Sequence, residues 1–182
     1  MIVKSPLRYP GGKSRAVKII SKLIPNDVKC ICSPFFGGGS LEIYCAQNGI
    51  RVYGYDTFGP LVDFWQVLLK NPAKLAEMAA KFHPLSKEKF YGLQKSQLES
   101  KSKLERATIF YVLNRTSFSG STLSGGMASG GIDNNPRFTK SLIQKLGAFQ
   151  LRNLTVSKMD FKKSIPRHKN ALLYLEIGRA HV

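Results

Sequence analysis

The sequence predicts an α/β fold, a parallel sheet flanked by helices and interrupted by a helical, basic insertion. Three observations predict it. Residues 29–32 form a short apolar strand that runs into Ser33-Pro34-Phe35-Phe36-Gly37-Gly38-Gly39-Ser40, then a helix, then a strand ending on Asp56. From residue 61 to 114 the periodicity turns helical, with few β-branched clusters. Strand signals then return at residues 154–157 and 171–175, each with the length of a buried parallel strand.

The elements follow in order. Residues 14–24 read as a first helix, with Ala16, Val17, Ile19, Ile20 and Leu23 on one face and Pro25 as its stop. Ser40 is the expected N-cap of the next helix, which runs to Asn48 and stops at Gly49. Residues 50–55 alternate as a strand. Residues 61–81, 87–100 and 103–114 are expected as three further helices. The stretch 116–137 is rich in Gly, Ser and Asn and has no period. A loop this long is expected to be functional, and mobile until a partner orders it.

Composition narrows the function classes. The 182 residues are 43% hydrophobic and 21% charged, which favours a packed core over disorder. No apolar run approaches the roughly 18 residues of a membrane-spanning helix. The N-terminus has no apolar stretch behind its basic residues, so no cleaved signal peptide and no membrane role are expected. Cys30, Cys32 and Cys45 are odd in number and sit in apolar surroundings, which fits a reduced, cytoplasmic compartment. Twenty-eight Lys and Arg stand against eleven Asp and Glu, a net charge of +17. Ten of the basic residues fall between residues 70 and 115, against four acids. Such a surplus favours a polyanionic partner, because each neutralised phosphate releases condensed counterions.

The glycine turn carries the chemistry. Successive glycines between a strand and a helix let the backbone approach a ligand with no side chain intervening. Asp56, at the carboxyl end of the next strand, can accept both hydrogen bonds from a ribose diol. The plainer alternative is a structural turn with Asp56 as a surface or helix-cap residue. The turn lacks the G-x-G-x-x-G spacing that wraps a pyrophosphate, which argues against NAD or FAD and hence against a dehydrogenase. Gly12-Lys13-Ser14 resembles the end of a P-loop, but Leu7 stands where that motif needs Gly, and no strand launches it. A nucleoside cofactor without phosphate remains, of which S-adenosylmethionine is the common one. His83, His168 and His181 are scattered without acidic partners, and no metal site is expected.

At these residues the chain resembles the Dam-like (D12-class) adenine-specific DNA methyltransferases. Pro6-Leu7-Arg8-Tyr9-Pro10-Gly11-Gly12-Lys13 is similar to the family's first motif, and the 33–40 turn to its cofactor motif. Gly54-Tyr55-Asp56 matches its ribose-binding acid, and Leu113-Asn114-Arg115-Thr116-Ser117-Phe118-Ser119-Gly120 its N-R-x-x-F-x-G segment. Asn134-Asn135-Pro136-Arg137-Phe138 resembles the segment that follows, and Met159-Asp160-Phe161 with Ala171–Leu175 the strands before the catalytic motif.

The resemblance implies a partial Rossmann-like S-adenosylmethionine-dependent methyltransferase fold with an inserted helical DNA-recognition subdomain. The core would be residues 1–60 with 150–175, and the insertion residues 61–149. Tyr9, Gly11, Gly12 and Lys13 would close over the methionine end of the cofactor. Pro34, Phe35, Gly37 and Gly39 would form its floor, Asp56 would hold the ribose, and Asp160 would reach the adenine amino group. Asn114, Arg115, Ser117, Gly120 and Arg137 would meet DNA, while Phe118 is expected to pack in the core.

Two departures stand out. Ser33 occupies the place of the acid that usually precedes Pro-Phe. After Leu175 the family continues D-P-P-Y, whereas this chain reads Glu176-Ile177-Gly178-Arg179-Ala180-His181-Val182. Those last residues back-translate to a common sequencing adapter, so 176–182 are read as an artefact. The chain is therefore expected to be inactive as given, with no catalytic residue assigned. The rival reading is a non-catalytic, basic nucleic-acid-binding module that retains a nucleoside pocket.

Overall fold

Short, largely apolar strands build the sheet. In the computed structural model, which describes residues 3–99, 102–128 and 135–176, four strands pair in parallel. They are β1 (Cys30–Ser33), β2 (Arg51–Asp56), β3 (Leu154–Lys158) and β4 (Leu172–Leu173), in the order β3-β2-β1-β4. The register sets Cys32 against Tyr53, Gly54 against Val156 and Ile31 against Leu172. The chain thus extends from β1 to β2 and β3 on one side, then returns to add β4 on the other. In open parallel sheets such a reversal marks the crevice where ligands bind, outside the carboxyl ends of the strands.

The sheet belongs to a compact unit of residues 3–5, 11–62 and 150–176. Its first helix is shorter than the sequence predicts: α1 spans only Val17–Ile20, followed by a 3-10 turn at Ser21–Leu23. Neither piece has a side-chain cap or a buried residue, so nothing holds further turns, and Ile19 and Leu23 stay 69% and 78% exposed. The next helix, α2 (Ser40–Gln47), takes Gly39 and not Ser40 as its N-cap. Gly39 sits at φ +65°, a left-handed conformation that swings the chain from strand end to helix and that a side chain would oppose. At the last strand only Leu172–Leu173 of the expected 171–175 is assigned, although the Tyr174 amide still donates to the Cys32 carbonyl at 2.9 Å.

The second unit holds Pro6–Pro10 and Asp63–Phe149. The single helix expected over 61–81 is two, α3 (Gly59–Lys70) and α4 (Pro72–Ala80). Pro72 has no N–H to give and its ring excludes the preceding turn, so it starts a helix instead of continuing one. Asn71 caps that start, its Oδ1 accepting from the Lys74 amide at 3.1 Å. Next come α5 (Lys87–Ser96), which ends short of the expected residue 100, and α6 (Lys103–Thr116). Ser102 and Glu105 form a capping box at the head of α6. A further helix, α7 (Lys140–Gly147), has no counterpart in the sequence reading. The core of this unit is aromatic: Phe64 stacks on Tyr111 at 5.8 Å, and Trp65 meets Phe149 edge-on at 6.5 Å.

The glycine-rich stretch is not loose where it is described. Ser117 and Met127 form an antiparallel bridge, and the Phe118 and Ala128 amides donate to Gly126 and Thr116 carbonyls at 2.8 Å each. Gln94 also donates to the Gly125 carbonyl at 2.9 Å. Residues 129–134 of that loop, and 177–182 of the expected artefact, lie outside the described residues. Among the described residues no helix is long and apolar enough to cross a membrane, and Cys30, Cys32 and Cys45 are free thiols.

Candidate functional site

The turn after β1 sorts its two phenylalanines. Phe36 is buried, its amide donating to the Tyr55 carbonyl at 2.9 Å, and its ring lies against Gly54 of β2. A Cβ at position 54 would run into that ring, so glycine there is a requirement of packing. Phe35 stays half-buried, with its ring centroid 5.4 Å from that of Phe161. Gly37 and Gly39 both adopt positive φ, at +50° and +65°. Pro34, Gly37 and Gly39 are buried in this turn.

Carboxylates gather around it. Asp56 Oδ2 accepts from the Gly37 amide at 3.1 Å, and Oδ1 from the Phe58 amide at 2.9 Å. The acid at the end of β2 is thereby fixed against the glycine turn, and each of its oxygens keeps a second lone pair. The Met159 amide donates to the Asp56 carbonyl at 3.1 Å, which brings the end of β3 alongside. Asp160 is the N-cap of α8 (Phe161–Ser164), its Oδ1 accepting from the Lys162 amide at 2.8 Å.

Glu42, on the first turn of α2, is the residue that sequence reasoning missed. It is only 3% exposed. The Ser33 hydroxyl donates to its Oε1 at 2.6 Å. Burial pushes its pKa up to about 7, with nearby Glu176 acting the same way and the Ser33 hydrogen bond pulling back.

Lys13 completes the cluster. Its Nζ lies 2.8 Å from the Gly11 carbonyl and 2.7 Å from Glu176 Oε1. Gly12 is exposed beside it. Tyr9 falls in the Pro6–Pro10 segment of the second unit and is 39% exposed. His168 finds a partner invisible in sequence: its Nε2 is 2.7 Å from the Tyr55 hydroxyl, and its ring stacks on Tyr53 at 4.5 Å. Among the described residues no group of His, Cys, Asp and Glu could hold a metal ion.

In the second unit, the end of α6 and the Pro6–Pro10 segment are laced together. Asn114 is buried; its Oδ1 accepts from the Arg8 amide at 2.9 Å, and its Nδ2 donates to the Arg8 and Gly120 carbonyls at 2.8 and 3.1 Å. Gly120 is packed so close to the Arg8 carbonyl that a Cβ would collide with it. Asn114 and Gly120 therefore build the platform. Arg115 donates through Nε to the Arg137 carbonyl at 2.6 Å and through Nη1 to the Pro6 carbonyl at 3.3 Å. Arg8 Nη1 donates to the Ser117 carbonyl at 3.2 Å. Burial, then the charges of Arg137 and Arg115, push the Arg8 guanidinium below its usual range. Among the described residues the buried Ser117 hydroxyl has no hydrogen-bond partner. Phe118, expected in the core, is 67% exposed, because its backbone is pinned to Gly126 on a short 3-10 turn.

A parallel sheet flanked by helices, with a glycine turn at its reversal and an acid at the end of the next strand, defines an α/β protein of the Rossmann-like class. Residues 9–176 match the D12 class N6 adenine-specific DNA methyltransferase family, and the chain belongs to that family. It is 24% identical over 169 residues to the Type II methyltransferase M1.LlaDCHI of Lactococcus lactis subsp. cremoris, a match covering 87% of this chain and 59% of that protein. It is 27% identical over 123 residues to the DNA adenine methylase of Haemophilus influenzae, covering 63% of this chain and 41% of that protein. The chain thus spans about half the length of these relatives.

Proposed function

We propose that the first unit binds S-adenosylmethionine for methyl transfer to the amino group of adenine in DNA, and that the chain as given does not complete that transfer. The observation that carries the cofactor reading is the glycine turn at the reversal of the sheet, with Asp56 at the end of the next strand fixed against it by the Gly37 amide. The donor set fits: Asp56 for the ribose hydroxyls, Phe35 and Phe161 for the flat base, Asp160 for the adenine amino group, and Lys13 for the carboxylate. When bound, S-adenosylmethionine supplies an electrophilic methyl group on a sulfonium.

Inactivity follows from what stands after Leu175. An adenine amino nitrogen is a poor nucleophile because its lone pair is delocalised into the ring. Two acceptors must take its hydrogens and an aromatic must support the extruded base. Glu176-Ile177-Gly178-Arg179 offers one carboxylate, already paired with Lys13, and neither proline nor aromatic. That pairing also favours the second reading, a basic nucleic-acid-binding module that keeps the nucleoside pocket.

DNA is the proposed partner of the second unit. Arg8, Arg115 and Arg137 lie close enough to repel one another, and among the described residues none forms an ion pair. Polyanion phosphates would relieve that repulsion. The free thiols agree with a reducing, cytoplasmic setting.

Two measurements test the reading together. Tritiated methyl transfer to mixed-sequence DNA should show no incorporation by the chain as given. Calorimetry should show S-adenosylmethionine binding that Asp56→Ala weakens by roughly 1.5–3 kcal/mol. Turnover would show that the acceptors lie elsewhere, and equal affinities would remove Asp56 from the site.

A further inference from the structure

We infer that Glu42 accepts the α-ammonium at the amino-acid end of the cofactor while Lys13 takes its α-carboxylate, so that the two side chains read a zwitterion. The inference rests on the S-adenosylmethionine reading above and adds a residue that none of the family's motifs marks. Glu42 is 3% exposed and forms no ion pair among the described residues; the Ser33 hydroxyl donates to it. A carboxylate so buried needs a proton or a cation.

Its position supplies the rest. Ser33 closes β1 beside the reversal between β1 and β4, and the Ser33 hydroxyl points its hydrogen at Glu42. Glu42 also feels the charge of Glu176, whose carboxylate rests 2.7 Å from Lys13 Nζ. Glu176 therefore sits on Lys13 as an α-carboxylate would, with a buried acid near enough to sense it. An α-amino acid carries both charges on one carbon, and its counterpart is a cation and an acid close together. Position 33 fits the same logic. An acid there would face Glu42 across a hydrogen-bond distance, whereas serine can donate.

The groups around Glu42 are Ser33, Glu176, Tyr174 and Cys45. Burial pushes Tyr174 and Cys45 up to about 12, so both are neutral near pH 7. Empty, Glu42 takes a proton as pH falls through about 7, and an incoming ammonium must expel it. Affinity therefore weakens on the acid side.

Calorimetry with S-adenosylmethionine, S-adenosylhomocysteine and 5′-methylthioadenosine tests this. The last keeps the nucleoside and sulfur but has no amino-acid end. Glu42→Gln, which can still accept from Ser33, should bind the first two at least tenfold more weakly and methylthioadenosine unchanged. Ser33→Asp/Glu42→Gln should regain affinity, because the acid returns one side chain away. The wild-type chain alone should release protons on binding S-adenosylmethionine near pH 6.5, and none on binding methylthioadenosine, read from buffers of different ionisation enthalpy. Equal losses for all three ligands, or no loss at all, would overturn the role of Glu42. Failure of the wild-type chain to bind any of them, methylthioadenosine included, would instead sink the cofactor reading.

Discussion

Gly54 shows how much a single residue can settle. Its neighbours in β2 carry side chains, yet a Cβ here would occupy the space of the Phe36 ring. Gly54→Ala should therefore cost about 1–3 kcal/mol by overpacking. Because Phe36 belongs to the glycine turn, nucleoside affinity should fall with it. Urea unfolding checks the first effect, and a variant as stable as the wild type would show that the ring relaxes freely. The residues of this site were unevenly legible. Asp56, Gly37 and Gly39 announced themselves by their spacing around a strand end. Glu42 did not, since on paper it is one acid on a short helix, and only the fold reveals that it is buried beneath Ser33. Asn114 was legible as part of a motif, but its work, holding Arg8 and Gly120, depends on a contact across 106 positions of chain.

Elements were legible where periodicity had length to declare itself. The three strands β1, β2 and β3 and the long helix α6 fall where alternation and apolar spacing put them. α7 was missed because Lys140–Gly147 is two turns long, shorter than the window in which a helical period can be counted. The break between α3 and α4 was in plain view at Asn71-Pro72, where cap chemistry outweighs an unbroken apolar pattern. The head of α6 makes the same point in testable form. Ser102 accepts from the Glu105 amide at 3.3 Å, and Glu105 Oε2 accepts from the Ser102 amide at 2.9 Å. Ser102→Ala should lower stability by about 1 kcal/mol. Thermal melts of Ser102→Ala and Ser102→Asp check it: the aspartate keeps a cap and should stay near wild type.

On the scale of the whole molecule the quantity that matters is charge, which needs no fold to be read. A surplus of +17 sets up an attraction for polyanions that salt screens. Binding to mixed-sequence DNA should therefore be weak, indifferent to sequence, and steeply weakened by salt. Each phosphate neutralised contributes a slope of about 0.9 in log affinity against log salt. The structure singles out the side chain with which to test this. Arg115 is spent on the Arg137 and Pro6 carbonyls, so its removal would unlace the platform as well as discharge it. Arg137 contributes its main-chain carbonyl to that lacing and can lose its side chain without breaking the bond. Arg137→Ala should reduce the salt slope by about one while the melting temperature holds. Arg51→Ala, an exposed position on β2, is the control for net charge alone and should leave the slope nearer its original value. A filter-binding titration at several salt concentrations reads both. Affinity that ignores salt would rule out phosphate contact altogether. An unchanged slope in Arg137→Ala, with salt dependence otherwise present, would move the contact to the lysines between residues 70 and 103.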